Sequence, residues 1–263
     1  MEVLTPRSLA DALALKAEHP DAVPIQGGTD VMIALNFDRE RPDVLLNLNE
    51  VAELRGFGRN DGMLRLGAGL TYTEAMRDPL SGELPALAEA SRTVGSPQIR
   101  NRGTIGGNLG TASPAGDALP PLLVEGAEVE LASVRGARTL PLESFVIGVK
   151  RNALEPDELI VSVLVRPSGQ PQTFMKVGPR NAMVIAVCSL ALVADRERDE
   201  IRAAFGSAAP GVPLVRASLA EADSFPERVA AAASPIDDVR GTAAYRRHAL
   251  RVLTHRALER CLA

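Results

Sequence analysis

Two glycine-rich stretches carry the residue types best suited to chemistry in this chain. The first is Gln26-Gly27-Gly28-Thr29-Asp30-Val31, directly after the apolar Ile25; the second is Gly103-Thr104-Ile105-Gly106-Gly107-Asn108. Glycine has no Cβ, so a glycine pair lets backbone N–H groups come close to an anion and adopt positive φ. A helix N-terminus behind such a bend adds a partial positive charge, which suits a phosphate. Thr29 and Thr104 offer hydroxyls and Asn108 an amide. The first stretch lacks the Gly-x-Gly-x-x-Gly spacing of the Rossmann-type dinucleotide site, so that mechanism does not transfer. Taken singly, it also reads as a tight turn with Thr29 or Asp30 as a helix cap. Farther on, Asp117 either caps the helix expected over 119–124 or offers its carboxylate to the hydroxyls of a ribityl or ribose chain. Two cradles in one chain suit a diphosphate-containing dinucleotide. The residues alone do not choose between FAD and NAD.

The rest of the composition narrows the field. The 263 residues are 46% hydrophobic and 24% charged, ordinary values for a globular protein with a substantial core. A net charge of −4, without a basic stripe interleaved with aromatics, argues against nucleic acid. The longest apolar run, 184–193, is about half a membrane span, and the start Met1-Glu2-Val3-Leu4 does not resemble a secretory leader. Cys188 and Cys261 lie in apolar settings and read as core residues of a protein in a reducing cytoplasm. With His19, His248 and His255 scattered, the chain lacks the ligands for an iron–sulfur cluster of its own. No metal site is expected.

Several elements must position these residues. Thr5-Pro6 opens a helix that Pro20 stops; a strand over 24–26, a helix over 31–36 and a strand over 44–48 follow. The first ~55 residues therefore form a small parallel sheet with helices. Alternation marks a strand over 63–69, Thr71 caps a helix running to Met76, and a helix spans 85–93. The segment 95–117 is dense in glycine and shows little helical periodicity. Strands are expected over 128–133 and 158–165. The breaker-rich 167–171 is the preferred domain boundary. Beyond it, 173–177, 183–194 and 200–205 read as strands and the remainder as helical. Thr242 caps a terminal helix with Tyr245, Ala249, Val252, Leu253, Ala257 and Leu258 on one face.

These residues carry a resemblance. Gly27-Gly28-Thr29-Asp30 together with Ser96-Pro97-Gln98-Ile99-Arg100-Asn101-Arg102 and the second glycine stretch is similar to the paired FAD motifs of the medium flavoprotein subunits of molybdenum hydroxylases, the xanthine dehydrogenase and carbon-monoxide dehydrogenase family. Ile236-Asp237-Asp238-Val239-Arg240-Gly241 and Tyr245-Arg246-Arg247-His248 resemble that family's closing domain. The resemblance implies an α+β fold. Residues 1–168 would form an FAD-binding domain of the vanillyl-alcohol-oxidase (PCMH) type, with subdomains of about 1–55 and 56–168. Residues 172–263 would form a smaller α+β domain with a three-stranded antiparallel sheet and a helical bundle.

Carried over residue by residue, it assigns FAD contacts to Ile25, Gln26, Gly27, Gly28, Thr29, Asp30 and Val31 and to Thr104, Ile105, Gly106, Gly107 and Asn108. It adds Asp117 at the ribityl or ribose, Ile160 as a backbone or apolar contact, and Lys176 near the isoalloxazine. Val94 stands where some relatives have an aromatic residue. Against the resemblance, Lys176 alone reads as a strand-edge surface lysine. Gly-Gly-Thr-Asp replaces the Gly-Gly-His-Ser typical of carbon-monoxide dehydrogenases, and a cysteine-bearing insertion found in hydroxybenzoyl-CoA reductase flavoproteins is missing. With no histidine in either motif, the FAD is expected to be non-covalent.

The implied role is electron transfer. A small [2Fe–2S] subunit would feed this chain, a large molybdopterin subunit would oxidise substrate, and NAD+ or another acceptor would take the electrons, in a heterotrimer that pairs into a hexamer. No catalytic acid, base or nucleophile is assigned here. Purines, aldehydes, N-heterocycles and carbon monoxide all remain open as substrates, with a lean to purines. Two other classes compete: a free-standing FAD-dependent oxidase or reductase, and a non-catalytic nucleotide-binding scaffold.

Overall fold

The computed structural model describes residues 1–263 apart from Ala182. Along the chain, β1 (Glu2–Leu4), α1 (Leu9–Glu18), β2 (Val23–Ile25), α2 (Val31–Asn36) and β3 (Val44–Asn47) build a parallel sheet in the order β1-β3-β2. Helix α1 begins later than Thr5-Pro6 suggest. Ser8 is the N-cap, its hydroxyl accepting from the Asp11 amide at 3.1 Å, which satisfies one of the orphan donors of the first turn. Lys16 is buried and donates to the carbonyls of Pro20 and Ala22, tying the helix to the turn that follows.

The next stretch folds around a larger sheet. It runs through β4 (Phe57–Asn60), β5 (Met63–Gly67), α3 (Tyr72–Ala75), α4 (Leu80–Glu83), α5 (Pro85–Thr93), α6 (Pro97–Arg102), α7 (Ile105–Thr111) and α8 (Leu119–Val124). It continues with β6 (Glu128–Ser133), β7 (Gly136–Pro141), α9 (Leu142–Phe145), β8 (Val146–Gly148), β9 (Arg151–Asn152) and β10 (Leu159–Val165). The antiparallel order is β4-β5-β10-β6-β7. Thr71 and Glu74 form a reciprocal capping box at the start of α3.

The segment 95–117, expected to be irregular, holds two short helices instead. Ser96 and Thr104 each cap one, accepting from the amides of Ile99 and Gly107. Glycine is a poor helix former, so periodicity could not reveal α7; caps and packing hold it.

The C-terminal part comprises β11 (Gln172–Val177), β12 (Cys188–Asp195), β13 (Glu200–Gly206), β14 (Leu214–Ala217), α10 (Phe225–Ala232) and α11 (Ala243–Leu262). Its antiparallel sheet has four strands rather than three, because β14 pairs with β13 from Ile201↔Ala217 to Ala204↔Leu214. Four residues after a Pro-Gly-Val-Pro bend are too short a run to announce a strand. Strand β12 starts at Cys188, not at Met183.

The terminal helix is capped by Thr242 as expected, but its buried stripe is Arg246, Ala249, Leu250, Leu253, Thr254, Ala257, Leu258 and Cys261. Tyr245 is outside and Arg246 inside. Arg246 is drawn in by the Ser207 carbonyl (2.8 Å) and the Asp238 carboxylate (2.5 Å).

Strand β12 is buried along its whole length, so both faces of this sheet are covered. Successive side chains alternate between faces. Ala191 and Val193 join the core that contains Leu46, Leu66, Ile105 and Phe145, whereas Leu190 and Leu192 join the core under α10 and α11 with Phe205 and Phe225. Carboxylates fasten this sheet to the helices before it. Glu89 on α5 accepts from the Thr173 hydroxyl (2.8 Å) and the Phe174 amide (2.7 Å). Glu125 accepts from the amide and hydroxyl of Ser168, both at 3.0 Å, and from Gln172.

Burial pushes the Cys188 thiol up to about 12 and the Cys261 thiol up to about 11. The thiolate is the reactive form. Both thiols should therefore resist alkylation by iodoacetamide at pH 8 in the native protein and react in guanidinium; rapid native labelling, read by mass spectrometry, would contradict this core.

Candidate functional site

The first glycine bend leaves the end of β2 beside the N-terminus of α2. Gly28 has φ of 72°, the left-handed region that favours glycine. Among the described residues, the amides of Gly27, Gly28, Thr29 and Asp30 have no intramolecular acceptor. Asp30 occupies the N-cap position of α2 but makes no side-chain cap bond. Its carboxylate instead accepts from the Thr111 hydroxyl at the end of α7, at 3.4 Å. Val31 starts α2, half-buried.

The second stretch differs in a way its sequence hides. The amides of Ile105 and Gly106 donate to the carbonyls of Leu70 (2.9 Å) and Ala68 (2.8 Å), and that of Gly107 to the Thr104 hydroxyl (3.0 Å). These donors are spent on the protein. Free amides therefore come from the first bend, while the second offers a surface without side chains.

The glycines divide accordingly. A Cβ at Gly27 would lie 2.2 Å from the Arg102 carbonyl oxygen, and one at Gly106 would lie 2.6 Å from the Cβ of Ala68 and 2.7 Å from its oxygen. At Gly107 a Cβ would meet only the Thr104 hydroxyl, at 3.0 Å, and the residue is exposed. Gly27 and Gly106 let backbones touch; Gly107 leaves space.

The remaining residues extend from this junction in two directions. The Asn108 side chain lies against Gly116, 2.9 Å from where a Cβ would be, and its Oδ1 is buried without a partner. Asp117 does not cap α8, whose N-cap is Ala118. Its Oδ2 accepts from Lys176 Nζ at 2.6 Å, while its Oδ1 is buried and unpartnered. Burial pushes the Asp117 carboxyl above its ordinary range, against the pull of Lys176. The same burial, with Asp117 beside it, pushes the Tyr72 hydroxyl up.

Lys176 is therefore no surface lysine: its side chain is 5% exposed and also donates to the carbonyl and hydroxyl of Thr93. Thr93 had no signal in the sequence, since contact across 83 positions leaves no local pattern. Val94 follows it, its carbonyl accepting from Arg100 at 3.1 Å. Ile160, on β10, lies under Gly110 of α7, 3.7 Å from a Cβ placed there. Ile25 and Gln26 sit on the opposite side. Gln26 turns its amide towards Gly69 and a cavity of about 220 Å³ that also touches Asn49, Arg55, Arg102 and Thr104. Arg102 donates there to the Gln26 carbonyl (3.3 Å) and Asn49 Oδ1 (3.2 Å). A cavity of about 370 Å³ beside Gly82, Gly169 and Arg260 is lined by none of the residues assigned to FAD contact.

Unspent amides beside an open glycine, followed by two buried acceptors without partners, suit an elongated ligand with an anionic part and a hydroxyl-bearing part. Among the described residues, no group of three or more His, Cys, Asp or Glu side chains converges on a metal position, and no helix is long and apolar enough to cross a membrane.

Residues 1–167 match the family model described as the FAD binding domain in molybdopterin dehydrogenase. The chain is 32% identical over 279 residues to the xanthine dehydrogenase FAD-binding subunit of Escherichia coli O157:H7, covering 97% of this chain and 94% of that one. It is 38% identical over 194 residues to the nicotinate dehydrogenase FAD-subunit of Eubacterium barkeri, covering 71% and 66%. A solved structure of the carbon monoxide dehydrogenase of Hydrogenophaga pseudoflava superimposes with a TM-score of 0.92 at 26% identity, over 100% of this chain and 97% of the matched chain.

The two adjacent glycines should respond differently to one substitution. Gly106→Val drives a side chain into the Ala68 backbone and should cost about 3 kcal/mol or more. Gly107→Val should cost about 1 kcal/mol or less. Urea midpoints measure both, and equal losses would refute this division.

Proposed function

Because the chain belongs to the family of FAD-binding domains of molybdopterin dehydrogenases, we propose that it carries non-covalent FAD and relays electrons within a multi-subunit molybdenum hydroxylase. It is an oxidoreductase component and an FAD-binding subunit of that family. The observation that carries the specific reading is the row of unspent amides at Gly27–Asp30, on a bend that packs on Arg102 and is tied to the end of α7 through Asp30 and Thr111.

The residues suit this group. The amides of the first bend would hold the diphosphate bridge, with the Thr29 hydroxyl as a further donor. Gly107 would let the phosphates approach α7, because nothing but the Thr104 hydroxyl stands above it. Asn108 and Asp117, whose buried oxygens lack partners, would accept from the polyol hydroxyls. Ile160 and Val94 would supply apolar contact. The FAD-binding unit in this reading is 1–168, with 172–263 as a C-terminal domain that closes the far end of the site through Lys176.

FAD, when bound, supplies one- and two-electron chemistry, so single-electron donors and a two-electron acceptor can be coupled. The protein binds, orients and desolvates it; no side chain is assigned to proton transfer. The donor in this proposal is a [2Fe–2S] centre on a small partner chain, since this chain has only two cysteines, Cys188 and Cys261, both buried. Substrate is oxidised on a large molybdopterin chain, and NAD+ is the proposed acceptor. Substrate identity then belongs to another subunit, in keeping with relatives named for xanthine, nicotinate and carbon monoxide. A cytoplasmic setting is part of the proposal.

Purified alone and mixed with FAD, the full chain should bind it stoichiometrically, quenching flavin fluorescence, and Gly107→Val should weaken binding by about tenfold or more, the scale of a lost charge-assisted contact. In its native complex it should co-purify with iron and molybdenum. A colourless chain that resists reconstitution overturns the reading, as does undiminished FAD in the valine variant.

A further inference from the structure

Arg246 on α11 is buried although it is charged, and nothing said so far of the site uses it. Resting on the FAD reading above, we propose that Arg246 is a positioning residue for the cofactor site. It acts through Ser207 and the Pro114 carbonyl to hold the turn 113–117, which carries Asp117, in the geometry that FAD binding requires. Arg246 itself makes no ligand contact in this proposal.

The path runs through backbone contacts. Among the described residues, the hydrogen bonds of 113–116 stay within the turn or reach Leu119, with one exception: the Ser207 amide donates to the Pro114 carbonyl at 2.7 Å. Gly206 permits this approach, because a Cβ there would lie 2.7 Å from the Ser189 hydroxyl and 3.0 Å from the Pro114 carbonyl oxygen. Ser207 itself has φ of 60°, the left-handed region that a residue with a Cβ seldom adopts. Its hydroxyl is buried without a partner, so the side chain does not hold this conformation. The backbone is held at both ends instead, with the amide on Pro114 and the carbonyl accepting from Arg246 Nη1 at 2.8 Å.

Arg246 is fixed in its turn. Its side chain is 3% exposed, and Nη2 donates to Asp238 Oδ1 at 2.5 Å. The same carboxylate accepts from the Arg240 amide (2.8 Å) and from the Arg240 guanidinium (3.1 and 2.8 Å). Burial pushes the Asp238 carboxyl up, but these bonds from Arg240 and Arg246 hold it well below the usual carboxylate range. The pair is therefore charged. Arg246 Nε stays buried and unpartnered, so the guanidinium is oriented for Ser207 and Asp238 rather than for its own full satisfaction. A buried ion pair adds little net stability over apolar packing; what this one adds is a fork aimed at one carbonyl.

The held turn borders the site directly. Gly116 lies against the Asn108 side chain, whose Oδ1 is 2.9 Å from where a Cβ would stand, and Asp117 follows it. A ligand seated against Asn108 and Asp117 selects the turn conformation that Arg246 stabilises through Ser207. Coupling of that kind is reciprocal: loosening the Ser207 backbone should weaken the ligand, although Arg246 lies in another part of the fold.

FAD titrations of the full chain by flavin fluorescence, with urea midpoints measured in parallel, test this. Arg246→Met should bind FAD about fivefold or more weakly than the wild type. Adding Ser207→Gly to that variant should recover most of the loss, because glycine adopts φ of 60° unaided. Leu253→Ala, on the buried face of the same helix, should lower the urea midpoint and leave Kd at the wild-type value. Should Arg246→Met not fold, Ser207→Val reads the same link with Arg246 in place. A β-branched residue resists positive φ, so FAD should again bind more weakly. Unchanged Kd in Arg246→Met or Ser207→Val, a loss that Ser207→Gly does not recover, or an equal loss in Leu253→Ala overturns the inference while FAD binding stands. Absence of FAD binding by the wild type overturns the functional reading first.

Discussion

Everything at this site depends on how closely backbones approach where side chains are missing. A Cβ at Gly27 would collide with the Arg102 carbonyl, and one at Gly106 with Ala68. These two contacts bring the β2–α2 bend, the end of β5 and the N-terminus of α7 to one point. With bulkier residues the sheets on either side would stand apart by the width of a side chain. The first bend, which Asp30 ties to Thr111 at the end of α7, would then part from that helix.

From that junction the site extends along a path set by burial. Asn108 and Asp117 follow α7 into the interior, where each keeps an unpartnered oxygen. Thr93 and Lys176 close the far end, from α5 and β11. A protein interior rarely leaves such acceptors unpaired, and the cost is borne where a ligand can repay it. Rigidity around them comes from the carboxylates Glu89 and Glu125, which bind the start of β11 and the segment before it. The C-terminal sheet is buried on both faces, so it cannot shift without exposing one of two cores.

The assembly expected of this family places different tasks on different chains, and this chain's contents agree with a narrow one. Its thiols are interior and its ionisable site residues form a counter-charged pair. What it offers a flavin is shape, backbone donors and a dry carboxylate.

Composition and motif spacing were sufficient for much of this. Glycine pairs, the capping residues Thr71 and Thr242, and the alternation in β5 are local signals that short-range sterics and hydrogen bonding impose. The resemblance to a flavoprotein family rests on the same local strings. Other features depended on neighbours far along the chain. Helix α7 forms despite its glycines because Ala68 and Leu70 accept its first amides; by the same contacts its expected anion-binding donors are consumed. Strand β14 exists through pairing with β13, and Arg246 turns inward for the Ser207 carbonyl and Asp238. Lys176, which the resemblance places near the isoalloxazine and the local pattern leaves open as a surface residue, becomes a buried counter-ion only through Thr93 and Asp117. Which amides, oxygens and charges stay free is decided by what folds against them, and that pairing is a property of the tertiary structure.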